Sequence, residues 1–248
     1  MSVSITTYPA QSPIFPARTS AASTLPWRFW STLGWAVVAS VIMARGWSFV
    51  TTASAWLQLN PAIVGYLGPI IPYAGVTAFL VLVARWRGPS AGAYLGLVWP
   101  RWYHIIISVA LFVAFRLGLE ALSSSPSGAR ASAESISAYR AIMGNPVALA
   151  FYWITVVVKA PVTEEIIVRG FLQRGWSESS IGTGSAIFLS TLVFALAHTQ
   201  YALPSIALIF LIGLVLSLIR WWTGSILLTI LLHASWNFTN VVQTALAA

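Results

Sequence analysis

Apolar stretches close to the length needed to cross a bilayer recur throughout this 248-residue chain, and they leave little choice of fold. The runs cover about Phe29–Ala44, Ala62–Ala84, Tyr103–Leu122, Pro146–Val168 (continuing to about Gly175), Ser185–His198, Leu203–Ile219 and Ser225–Leu246. In lipid every backbone N–H and C=O must find its partner within the protein, so the apolar chain crosses as helix, and each crossing takes roughly 20 residues. The pattern predicts an all-α polytopic transmembrane bundle of about seven spans, some short enough to be tilted or half-helices. Only 7% of residues are charged, where a soluble domain carries about 25%.

The formal charge of +8 has two readings. No basic patch interleaved with aromatics is present, so no nucleic-acid partner is expected. Membrane topology accounts for the charge, because Lys and Arg gather on cytoplasmic loops. With the N-terminus inside, Arg18, Arg28, Arg85, Arg87, Arg101, Arg174 and Arg220 fall on or near cytoplasmic loops, and Arg45, Arg130 and Arg140 fall outside. The expected location is an inner (cytoplasmic) bacterial membrane with a cytoplasmic N-terminus. Trp27, Trp30, Trp86, Trp99, Trp102, Trp221 and Trp222 lie near span ends, where indole rings favour the interface. The chain has no cysteine, which excludes disulfides, thiolate metal ligands and a cysteine nucleophile.

Residues 1–27, rich in Pro, Ser, Thr and Ala, read as a disordered cytoplasmic tail ahead of a membrane domain at 28–248. A cleaved signal peptide is the rival reading, since Ala53-Ser54-Ala55 resembles a cleavage site. The region before it is too long, and Arg45 interrupts the apolar stretch. Gly88–Gly92 and Ser123–Gly128 read as loops.

Chemistry concentrates in Pro161–Arg174, PVTEEIIVRGFLQR, which holds two of the five acidic residues side by side. An ionisable residue at membrane depth costs roughly 2.5–3.5 kcal/mol on insertion scales and marks a functional site by default. At about 100° per residue, Glu165 and Arg169 share one helix face and form a structural ion pair, while Glu164 points roughly 140° away from Arg169 as the carboxylate free for chemistry. Pro161 removes a backbone hydrogen bond and is expected to kink this helix, which must continue to about Gly175 for Glu164 to reach the level of His198.

Two more polar signals follow: Phe194 to His198 near the end of one apolar run, and His233 with Asn237 four residues on in the last. Each has a plain reading, as a hydrogen-bonded core histidine or an interhelical asparagine. Lys159 and Arg116 read as snorkelling or carbonyl-bonded cations, and Glu120 as interfacial. Taken together, Glu164, His198, His233 and Asn237 are cheapest to bury around one shared polar intramembrane cavity. There Glu164 with His198 can take a proton from water, and His233 with Asn237 can donate to an oxyanion. The same Glu164, His198 and His233 also make a zinc set of three ligands with one open position.

The order E-E-x-x-x-R (Glu164, Glu165, Arg169), F-x-x-x-H (Phe194, His198) and H-x-x-x-N (His233, Asn237) resembles the CPBP family over about residues 146–240. These intramembrane endopeptidases include the type II CAAX prenyl proteases and bacterial Abi proteins linked to bacteriocin self-immunity. The resemblance implies a polytopic α-helical glutamate-type protease, with Glu164 and His198 activating water and His233 and Asn237 at the oxyanion. Members have also been termed metalloproteases; the pairing of Asn237 with His233 favours metal-free chemistry here. The implied substrate is a membrane-associated or C-terminally processed peptide. A non-catalytic scaffold or immunity protein that uses the same cavity for peptide binding is the alternative. A transporter is disfavoured, because paired repeats are missing.

Overall fold

A computed structural model describes residues 29–59, 64–65, 68–87, 90–122 and 133–248, and these are helical throughout apart from turns and short connections. The expected tail at 1–27 and loop at Ser123–Gly128 lie outside the described residues. The elements are α1 (Phe29–Trp56), α2 (Ile70–Arg87), α3 (Ala91–Leu95), α4 (Trp102–Leu122), α5 (Ala133–Ile142), α6 (Pro146–Ser177), α7 (Gly182–Leu196), α8 (Leu203–Thr223) and α9 (Ile226–Ala247). Of these, α1, α4, α6 and α8 are long and apolar enough to cross a membrane. Shorter apolar helices occupy Ile70–Trp86 and Gly182–Leu196, while α9 has 22 residues but carries His233, Asn237, Asn240 and Gln243.

Several boundaries differ from the apolar runs. Arg45 does not end α1, which continues to Trp56 and includes Ala53-Ser54-Ala55. Arginine is a good helix former, and its exposed side chain can stand outside the bundle without breaking the backbone ladder. Ala91 and Gly92, assigned to a loop, begin α3, because the Ser90 hydroxyl caps it by accepting from Ala93 N–H at 3.1 Å. α7 stops at Leu196, so His198 falls in the turn beyond it. Arg116 pairs with Glu120 at 3.1 Å and lies 4.7 Å from the Trp236 ring centroid, in place of the expected snorkelling.

Many large apolar side chains point outward, as bilayer contact requires, and smaller clusters fill the interior. One packs Ala39, Leu80, Leu95, Phe171, Ala186 and Ile226; the other packs Phe112, Leu216, Leu228, Leu232 and Trp236. Where α3 meets the α8–α9 corner, Gly96 (φ 77°) and Gly224 (φ 72°) take the left-handed conformation and end their helices. Gly96 carbonyl accepts from Ile226 N–H at 2.9 Å, and a β-carbon on Gly96 would strike the Arg220 guanidinium. Just past α6, burial pushes the Glu178 carboxyl up, against the opposing pull of Arg174.

α1 meets α6 through Gly175, where a β-carbon would lie 2.5 Å from the Thr32 hydroxyl. Gly175→Val is therefore expected to separate these helices and lower stability by about 1–3 kcal/mol, measurable by unfolding in detergent. An unchanged midpoint would show that the contact yields freely.

Candidate active site

The site is built on α6, whose ladder is not uniformly α-helical. Ile154–Lys159 and Ile166–Leu172 are π-helical, and the α-turn Ala160–Glu165 between them carries both glutamates. The expected disturbance at Pro161 takes this form, a lengthened turn ahead of the proline. Ala160 N–H bonds to Thr155 carbonyl, five residues back. The same pattern would assign the Val156 carbonyl to residue 161, but proline has no N–H. Asn237 supplies the donor from α9, its Nδ2 donating to the Val156 oxygen at 3.0 Å.

Glu165 and Arg169 are fully buried, with Nη1 to Oε1 at 2.9 Å. Arg169 also donates from Nη2 to Gly213 carbonyl at 2.8 Å and from Nε to the Ser217 hydroxyl at 3.3 Å, and its guanidinium lies 4.5 Å from the Phe194 ring centroid. The Ser217 hydroxyl is 3.0 Å from that of Thr191. One cation thus joins α6 to α7 and α8. A β-carbon on Gly213 would stand 3.0 Å from the Phe194 ring and 3.1 Å from Nη2, so any larger residue would crowd the guanidinium.

His233 completes the chain. Its Nδ1 lies 3.0 Å from Glu165 Oε1 and its Nε2 lies 3.8 Å from Glu164 Oε2. The imidazole thus stands between the two carboxylates. Their surroundings differ: the Glu164 side chain is 20% exposed and the Glu165 side chain is sealed. Water can reach the first carboxylate and not the second. Phe194 lies edge-on to both imidazoles, at 4.9 Å from His198 and 5.9 Å from His233. His198 bonds through Nδ1 to the Phe194 carbonyl at 2.8 Å and stacks on Tyr201.

A cavity of about 680 Å³ is lined by Glu164, His198, His233 and Asn237, together with Lys159 and Tyr73. The Lys159 ammonium is 3.7 Å from the Tyr73 ring centroid, so this cation faces the cavity and does not reach out along the helix. Among the described residues no hydrogen bond joins Glu164 to His198, and no three His or Glu side chains come together as a group able to hold a metal ion. Glu164, His198 and His233 share a cavity wall. Lys159 was read as a snorkelling or carbonyl-bonded cation, whereas Gly213, Ser217 and Thr191 were missed from sequence. Small or hydroxyl residues inside the most apolar runs were the available signal.

What fold and site define is a polytopic α-helical membrane protein with two carboxylates and two histidines converging inside the bundle. Residues 146–239 match the profile of the type II CAAX prenyl endopeptidase Rce1-like family, and this match supports CPBP family membership. A curated relative, an uncharacterized 24.3 kDa protein of Escherichia coli, is 34% identical over 82 residues, which is 32% of this chain and 38% of that protein. The matched region thus spans well under half of the relative's length. No solved structure matches.

Two variants test this wiring. Arg169→Met leaves the Glu165 charge buried and is expected to cost about 3–5 kcal/mol of stability. Asn237→Ala leaves the Val156 carbonyl without its donor, at about 1–3 kcal/mol. Adding Pro161→Ala supplies a backbone N–H and should recover much of the second loss in detergent unfolding. No recovery would mean that the carbonyl does not set the cost.

Proposed function

We propose that the protein is an intramembrane endopeptidase that hydrolyses a peptide bond with a water molecule activated at Glu164. The observation that carries this reading is one cavity holding a water-accessible carboxylate, two histidines and an amide, with the neighbouring carboxylate sealed in an ion pair. The Glu164 carboxylate takes a proton from water as the water oxygen bonds to the substrate carbonyl carbon. The carbonyl oxygen becomes an oxyanion and accepts hydrogen bonds from His233 Nε2, when the ring carries its second proton, and from the second N–H of the Asn237 amide. On collapse the C–N bond breaks and the proton held by Glu164 passes to the leaving amine. His198, more than a hydrogen bond away, assists Glu164 through water. Glu165 fixes the His233 ring through Nδ1, and Arg169 fixes Glu165.

The substrate in this reading is a peptide of a membrane-associated protein, and no metal takes part. α2, α7 and α9 are taken to cross the bilayer with the four longer apolar helices, which makes seven crossings.

Membranes from cells carrying wild-type protein or Glu164→Ala at matched abundance are compared by N-terminal proteomics. New peptide ends dependent on Glu164 are expected, with cleavage reduced at least about 100-fold in the variant. Identical ends with both proteins folded would favour a peptide-binding scaffold. For cleavage reconstituted with the purified protein, a zinc chelator is expected to leave the rate unchanged; its loss, restored by zinc, would overturn the metal-free mechanism.

A further inference from the structure

The cavity sits at one end of the bundle, and the cations gather at the other. That other end collects the start of α1, the ends of α2 and α6, and the α8–α9 corner. Phe29 stacks on Trp176 at 5.5 Å, Trp35 meets Trp86 at 6.2 Å, and Arg220 donates to Leu95 carbonyl at 3.3 Å. Arg85, Arg101, Arg174 and Arg220 belong to this end, Arg87 closes α2, and Arg28 directly precedes α1 in the sequence. Exposed Trp30, Trp86, Trp99, Trp102 and Trp221 form a belt around the same end.

The cavity wall comes from the opposite halves of the same helices. Trp47 lies late in α1, Tyr73 early in α2, Tyr152 early in α6, Gln200 and Ser205 at the α7–α8 turn, and Asn240 late in α9. Glu164 stands roughly 20 Å from the arginine-rich end, at about 1.5 Å of rise per residue. Near the cavity end the described cations are Arg45 on the outer surface of α1, Arg116 paired with Glu120 beside Trp236, Lys159 against Tyr73, and Arg140, which donates to the carbonyls of Ala247 and Ala248. The excess at the first end orients a polytopic chain, because Lys- and Arg-rich span ends stay in the cytoplasm.

We infer that the arginine-rich end is cytoplasmic and that the cavity opens to the opposite, non-cytoplasmic face of the membrane. Its occupant is then a peptide segment presented from that face: a translocated tail or loop of a membrane or exported protein. The identity of the occupant as a substrate rests on the proteolytic reading above; the direction of opening does not.

The chain has no cysteine, so single cysteines report cleanly. Gln200→Cys and Ser205→Cys mark the cavity mouth, and Ser180→Cys marks the arginine-rich end; all three positions are exposed. In spheroplasts of a bacterial host, a membrane-impermeant maleimide is expected to label positions 200 and 205 at least ten-fold more than position 180. Permeabilisation should bring position 180 level. Labelling of position 180 in intact spheroplasts, equal labelling of all three, or labelling of 200 and 205 only after permeabilisation would each overturn the assignment. If the labelling holds but proteomics finds no Glu164-dependent cleavage, the orientation stands and only the proteolytic reading falls.

Discussion

A guanidinium with no access to water has to find its charge and its hydrogen-bond partners inside the protein, and Arg169 dictates much of this bundle by doing so. Its donors reach Glu165 on its own helix and Gly213 and Ser217 on α8, while its face covers Phe194 on α7. Glu165 passes the constraint on through the oxygen it shares with His233, which brings in α9. Four helices are thus held by contacts whose loss would strand a buried charge. Apolar packing alone gives no such register, since one greasy face slides over another at little cost.

The neighbouring carboxylate inherits its freedom from this arrangement. Because Glu165 turns into the bundle, Glu164 is carried round toward the cavity and His233 Nε2. Two adjacent residues of the same type are thereby made unequal by the helix that holds them. The π-helical stretches on either side matter in the same way. The first leaves a carbonyl at Val156 that Pro161 cannot serve, and the asparagine that serves it sits one turn from His233. Orientation of the amide and of the imidazole is thus settled along one face of α9.

The sequence made the helices and the polar set legible because both follow from simple rules: apolar length for a crossing and the expense of charge at membrane depth. The pairing of Glu165 with Arg169 and the separate direction of Glu164 could be read from spacing. The π-helical turns could not, because residue identities at 154–159 and 166–172 suit an α-helix as well; only the proline hints at a disturbed ladder. His198 was placed on a helix that ends two residues before it, since helix termini follow local hydrogen bonds more than hydropathy. The direction of Lys159 depended on Tyr73 meeting it from α2, a contact no local pattern encodes. Arg116 and Glu120 are different: their four-residue spacing was on view in the sequence and went unused.

The closeness of Glu165 and Arg169 along the chain bears on how such a segment enters a bilayer during synthesis. When α6 has emerged, α8 and α9 do not yet exist, so Gly213, Ser217 and His233 cannot help. An acid and a base one turn apart can already neutralise each other within the single helix and lower the cost of its entry. The later helices then find a polar pair awaiting further partners, and their arrival trades a local truce for a shared one. A buried pair drawn from two distant helices would lack this stage, each charge crossing the threshold alone.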